Sequence, residues 1–142
     1  GTTAPFKGRM LNRKVEAGAD FVLTQPVFDP RRVKRTLKAY EAGFGPLPIP
    51  VLVGVLPLYG SRHASFLHNE VPGISIPNEI RKRINAAGEQ APQTGIMIAV
   101  EILQQLIGIS QGAYLMPPFG RYDMAAEIIE TLAEQVPAAR MA

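Results

Sequence analysis

Lys14-Val-Glu-Ala-Gly-Ala-Asp-Phe-Val-Leu-Thr-Gln-Pro-Val-Phe-Asp29 is the stretch on which the fold turns. Gly18 ends a helix, because it tolerates the left-handed backbone that a helix C-terminus often adopts, and Phe21-Val-Leu23 is a short apolar run of strand type. Thr24 and Gln25 follow, and Pro26, without an N–H to donate, closes the ladder. A polar pair at the carboxyl end of a buried strand lies where α/β folds place ligand groups, since the strand fixes the backbone while the loop beyond it faces solvent. Gln25 is therefore the first candidate functional residue.

Upstream, Gly1 to Phe6 shows no periodicity and reads as an irregular lead. A helix from Lys7 or Gly8 places Met10, Leu11 and Val15 toward one face. Downstream, Asp29-Pro30 is a strong helix start, a carboxylate cap with proline at the first helical position, and Val33, Leu37 and Tyr40 continue the stripe to Gly43. A proline-rich loop, Gly45 to Pro50, feeds a second strand, Val51 to Leu56, apolar on both faces as covered parallel strands are. Ser61 is the expected cap of a short helix with Ala64, Leu67 and Val71 on one face.

Ile74 to Ile76 is either a very short strand or an extended connection. Pro77 opens a helix over Asn78 to Ala87, and Gly88 to Gln93 reads as a loop. A long apolar helix, about Thr94 to Ile107, leads to a last strand, Ala113 to Met116. The final helix, Tyr122 to Gln135, is expected to bury Met124, Ile128, Ile129 and Leu132, and residues 137–142 form a tail.

Composition limits the reading. The chain has 142 residues, 46% of them hydrophobic, enough for one core. It has no cysteine, which removes disulfides and thiolate metal sites and points to the cytoplasm. Gly1 to Arg13 lacks the apolar centre of a signal peptide, and the run Ile96 to Ile109 is too short and too often interrupted to span a bilayer, so no membrane association is expected. The net charge is +3, and basic residues cluster at Arg31 to Lys38 and Arg81 to Arg83, each on a solvated helix face without interleaved aromatics. Nucleic acid is accordingly not an expected partner.

Strands that each follow a helix at short range argue for βα units and a parallel sheet. Three clear strands are fewer than the eight of a closed (β/α)8 TIM barrel, which usually takes ~250 residues. The chain is either a small open sheet or the carboxyl-terminal half of a barrel. Half a barrel presents bare strand edges, which call for self-association or for pairing with a separate amino half.

Lys14-Val-Glu-Ala-Gly-Ala-Asp-Phe-Val-Leu-Thr-Gln25 resembles a helix-to-strand segment of the methylenetetrahydrofolate reductase family. The resemblance continues in Gly54-Val-Leu-Pro57, in Phe66-Leu-His-Asn-Glu-Val-Pro-Gly73 and in Gly112-Ala-Tyr-Leu-Met-Pro-Pro-Phe-Gly-Arg-Tyr-Asp123. The last two segments are most similar to the reductase module of bifunctional proteins that join it to a homocysteine S-methyltransferase. The similarity runs in order from Lys14 to Leu132 and covers the carboxyl half of the reductase barrel.

The resemblance implies reduction of 5,10-methylenetetrahydrofolate to 5-methyltetrahydrofolate, with FAD carrying hydride from NADH or NADPH to the folate. It implies Lys14 and Leu23 as cofactor contacts and Gln25 as the reader of the pterin, a role suited to an amide that both donates and accepts. Family members carry an aromatic residue a few positions after the proline matched by Pro57. This chain has Ser61 there, so Tyr59 is the substitute candidate on a shifted loop, with core packing as the alternative. Arg121, just past the last strand, can pair with a glutamate-tail carboxylate of the substrate, pair with Asp123 or begin the last helix.

The family's general acid and most of its flavin contacts lie in the amino half, and no segment here matches them, so no catalytic residue is assigned. The expectation is a part of a reductase that alone neither holds FAD tightly nor turns over. A non-catalytic half-barrel assembly module is the rival. His63 and His68 are five apart, wrong for one helix face, and read as surface or packing residues rather than metal ligands. Met97, Met116 and Met124 read as core, and no activated nucleophile is visible.

Overall fold

The computed structural model describes residues 4–135. Helix α1 spans Ala4–Glu16, and strand β1, Val22–Pro26, is followed by α2, Pro30–Phe44, and β2, Val51–Val55. Three helices come next, α3 over Ser61–Glu70, α4 over Asn78–Ala87 and α5 over Ala91–Leu106, before β3, Gly112–Leu115, and α6, Tyr122–Gln135.

The three strands form one parallel sheet in the order β1-β2-β3. Spatial order thus follows chain order, and each crossover steps one place in the same direction. Because parallel crossovers are right-handed, steps in one direction put the covering helices on one face, as in a barrel; a doubly wound sheet reverses and covers both. Burial follows this logic. Val51, Val53 and Val55 alternate toward the helices at 4%, 0% and 1% exposure, whereas Leu23, beside Leu52 in register, is 55% exposed. The α/β expectation of parallel strands in a partial barrel agrees with this sheet.

The helical layer is built by α5, buried along Ile96, Ile98, Ala99, Val100, Ile102 and Leu103. These residues join Ile84 of α4, Met124 and Ile128 of α6 and the three β2 valines in a single apolar cluster. Tyr40 of α2 is buried too, its hydroxyl donating to Asn12 Oδ1 of α1 at 3.0 Å. Asp29 caps α2 as its sequence predicts, accepting from the Arg31 N–H at 3.1 Å. The Arg31 side chain also bonds this carboxylate and, as the main cause, holds it below the ordinary carboxylate range.

Several boundaries differ from the sequence reading. Helix α1 begins at Ala4, so the expected lead is helical over residues 4–6, while residues 1–3 and the expected tail lie outside the described residues. Strand β1 continues through Pro26, which is tolerable because the ladder is irregular there and β1 is an edge of the described sheet. Gly60, not Ser61, occupies the cap of α3, and no side chain bonds there. Residues 74–76 form an extended connection without strand pairing. The expected loop at Gly88–Gln93 is a 3-10 turn over Gly88–Gln90 running into α5, because Pro92 sits in the first helical turn, where its missing N–H costs nothing. Ile129 and Met97, expected in the core, are 54% and 44% exposed.

Candidate functional site

The register around Gln25 is interrupted. Leu23 faces Leu52 and Pro26 faces Gly54, so Thr24 and Gln25 together oppose Val53 alone. A two-against-one bulge turns the strand locally, while exposure still alternates along it, with Leu23 and Gln25 exposed and Val22, Thr24 and Pro26 half-buried. Thr24 secures it: its hydroxyl oxygen accepts the Gly54 N–H at 3.0 Å and donates to the Gln25 carbonyl at 2.8 Å. The Tyr114 hydroxyl on β3 donates to the Thr24 carbonyl. Tyr114 reaches across β2 because residue 54 is glycine; a Cβ there would sit 2.9 Å from the Tyr114 hydroxyl and 2.8 Å from Met116 Cε. The bulge is therefore stitched to its neighbour β2 and, across it, to β3.

Gln25 leaves the bulge against the segment between α3 and α4. Its side-chain oxygen packs on Gly73, whose φ of +86° lies in the left-handed region and leaves no room for a Cβ beside the amide. Gln25 thereby lines a cleft of about 270 Å³ with Arg32, Thr36 and Ser75, over a floor that includes Val33 and Leu37.

Tyr59 and Arg121 meet at the carboxyl ends of β2 and β3, as candidates for one site should, with the Arg121 guanidinium carbon 5.3 Å from the Tyr59 ring centroid. Asp123 grips Arg121 through two hydrogen bonds, 2.9 and 2.8 Å, which raise the guanidinium pKa and lower that of the carboxyl. Of the roles read from the sequence for Arg121, the pairing with Asp123 is the one seen. Neither Tyr59 nor Arg121 lines the Gln25 cleft.

Two further members of this cluster were not marked as functional by sequence. Phe119 is 76% exposed, with its ring 5.7 Å from Tyr59 and 5.3 Å from His63, centre to centre. Its φ of 52° places a bulky residue in the left-handed region, in a turn closed by the Arg121 N–H on the Pro118 carbonyl at 2.9 Å. The Pro-Pro-Phe-Gly run after β3 was the available signal. His63 Nδ1 accepts the Tyr59 N–H at 3.0 Å, and His68 Nδ1 accepts that of Ile76 at 3.0 Å, so each histidine ties a segment flanking α3 to that helix.

Burial holds His63 below its ordinary value of 6.5. The unfolded chain therefore takes up the proton more readily than the folded one. The stability that the neutral ring contributes is present above 6.5 and lost as pH falls through the lowered value. Urea unfolding at about pH 7.5 and about pH 5 is expected to show a larger loss in the parent than in His63→Gln, whose amide oxygen can still accept the Tyr59 N–H. Equal losses would remove His63 from the pH response.

The two candidate cofactor contacts stand apart. Lys14 is exposed in the last turn of α1, ahead of the strand that carries Gln25. Leu23 lies on the uncovered face of the sheet, and neither residue lines the cleft. Among the described residues no group of three or more His, Asp or Glu side chains could hold a metal ion, and no helix is long and apolar enough to cross a membrane.

Comparison with known proteins gives this arrangement a context. Over 110 residues the chain is 27% identical to methylenetetrahydrofolate reductase 2 of Schizosaccharomyces pombe, a match covering 72% of this chain and 16% of that protein. The chain thus spans about a sixth of the length of the curated relative it matches. Residues 6–132 match the methylenetetrahydrofolate reductase family, and the span includes all three strands, the bulge and both aromatic-bearing loops. By that match the chain belongs to the methylenetetrahydrofolate reductase family.

Proposed function

We propose that this chain is the carboxyl-terminal half of the barrel of a flavin-dependent reductase. In this reading the parent protein reduces 5,10-methylenetetrahydrofolate to 5-methyltetrahydrofolate with NADH or NADPH, and the module is closest to the reductase part of a bifunctional homocysteine S-methyltransferase. Family membership supports an oxidoreductase acting on folate. The observation that carries the assignment to this segment is the bulge at Thr24 and Gln25, which presents an uncharged amide at the carboxyl end of a parallel strand. Such an amide can pair with a heterocycle edge that both donates and accepts. Tyr59 and Arg121 supply a flat apolar surface and a cation at the neighbouring strand ends.

The described residues do not by themselves fit FAD. The cleft of about 270 Å³ falls short of the roughly 300–1,000 Å³ typical of ligand sites, and Lys14 and Leu23 do not line it. Leu23 can instead form one wall of a site that another segment completes, with Lys14 contributing a cation from outside the cleft. FAD, when bound to the parent enzyme, supplies the redox chemistry; this segment reads the folate and closes one side of the barrel. A second reading has its own support. Phe21 and Leu23 are 52% and 55% exposed, and the outer edges of β1 and β3 pair with nothing among the described residues, as suits a non-catalytic module that self-associates or joins an amino-half polypeptide.

The test is steady-state reduction of methylenetetrahydrofolate by the intact protein that carries this segment, compared with its Gln25→Leu variant. Leaving polar edges of the bound ligand unpaired costs about 1–3 kcal/mol, so kcat/KM for the folate is expected to fall roughly tenfold to a hundredfold. Absence of reductase activity from the intact protein favours the assembly module. Unchanged kinetics in the variant remove Gln25 from the folate site.

A further inference from the structure

The cleft beside Gln25 holds more polar chemistry than reading one heterocycle edge needs. Arg32, Thr36 and Ser75 line it with Gln25, and among the described residues none of these four side chains makes a hydrogen bond to the protein. Among the described residues the ion pairs are Arg31 with Asp29, Arg83 with Glu101 and Arg121 with Asp123, and Arg32 takes part in none of them.

Charge on the rim follows from these pairings. Asp29 lines the cleft as well, but Arg31 neutralises it through hydrogen bonds at 3.0 and 3.3 Å. Arg32 is left as the uncompensated charge of the cleft, a planar donor fork matched to carboxylate and phosphate oxygens. Thr36 stands one turn further along α2, the i and i+4 spacing that puts it on the same helix face as Arg32. Its hydroxyl and that of Ser75, across the cleft, are additional donors. Below them, Val33 is 9% exposed, and with Leu37 it offers an apolar floor. A volume of about 270 Å³ suits a compact occupant of one or two rings.

We propose that this cleft binds a small organic anion, a carboxylate or phosphate on a compact apolar body, with Arg32 holding the anion and Val33 and Leu37 receiving the body. The inference shares Gln25 with the reductase reading but is carried by Arg32, Thr36 and Ser75, so anion binding and folate reduction are tested separately. It assigns Arg32 as the residue that selects charge, Thr36 and Ser75 as accessory donors, and Gln25 as a partner for a polar ring substituent.

The test is titration of the purified chain with benzoate, phenyl phosphate and neutral benzyl alcohol, followed by amide chemical shifts. Both anions are expected to move the Thr36, Gly73 and Ser75 amides, with saturation, whereas benzyl alcohol leaves them in place. Preference for one anion identifies a carboxylate or a phosphate as the natural head group. Arg32→Gln is expected to weaken anion binding at least tenfold, while Arg35→Gln, on the same helix but outside the cleft, changes it less than twofold. A spectrum of Arg32→Gln that matches the parent away from the cleft establishes that the variant is folded. Equal binding of the alcohol, equal loss in both arginine variants, or shifts centred elsewhere would overturn the proposal. Intact anion binding in a protein without reductase activity would overturn the reductase reading alone.

Discussion

Gly95→Ala is expected to lower the stability of this chain by about 3 kcal/mol, the upper part of the range for forcing extra volume into a packed core. Gly95 is buried in α5, and a Cβ built on it overlaps the backbone carbonyl of Leu58, itself 1% exposed just beyond β2. The obstacle is main chain rather than the far end of a flexible side chain, so relief requires α5 or the Pro57-Leu58 segment to move. Either shift disturbs the contacts of Ile96, Ile98 and Ala99 against the β2 valines. Alanine ordinarily favours a helix over glycine by up to about 1 kcal/mol, so a loss runs against propensity and isolates the packing cost. Gly43 in α2 is the internal control. It has nothing within 4 Å of a built Cβ, and Gly43→Ala is expected to gain about 0.4–1 kcal/mol. The urea midpoints of both variants against the parent decide the matter, and a Gly95→Ala midpoint at or above that of the parent would show that α5 does not sit on Leu58.

Much of the layer order was legible because it rests on local chemistry. Asp29-Pro30 caps and starts α2 where it stands, Asn78–Ala87 runs between Pro77 and Gly88 as the sequence indicates, and α6 starts at Tyr122 as expected. Pro92 was misjudged because proline punctuates both loops and first helical turns, and only the tertiary position of α5 decides between them. Ile129 shows the same limit, since an apolar residue on a helix has a core to enter only if a neighbouring element covers that side, and here it stays 54% exposed.

Within the site, Gln25 could be found from its place at a strand end, but the bulge in which it sits could not. That bulge depends on register between β1 and β2, and on a glycine at 54 that lets Tyr114 reach Thr24 from β3. Arg32 was hidden for a related reason. It lies in a basic run whose members look alike in sequence, and it differs from Arg31 and Arg35 only through the wall it forms with Gln25 and Ser75. His63 and Phe119 became visible only when the loops after β2 and β3 were brought together.

Leu23→Asp is expected to behave differently in this chain and in the intact protein, and the difference separates the half-barrel reductase from the assembly module. In this chain Leu23 is 55% exposed, so a carboxylate stays hydrated and the loss is at most about 1 kcal/mol, mainly of strand preference. If the intact reductase closes its barrel over this face and places flavin against it, the same carboxylate enters an apolar, enclosed site without a partner. The penalty is then several kcal/mol, on the order of a hundredfold or more in flavin retention. The measurement is the urea midpoint of the chain together with flavin absorbance of the intact protein after gel filtration. A large loss in the chain itself would mean that its sheet face is already covered, and flavin retained at the parent level would place the cofactor elsewhere. Dissociation of a self-associated parent chain to monomer in Leu23→Asp, with no flavin held by either intact form, would favour the assembly module. The mutation is informative because the side chain touches so little of its own chain: its cost measures what covers the sheet.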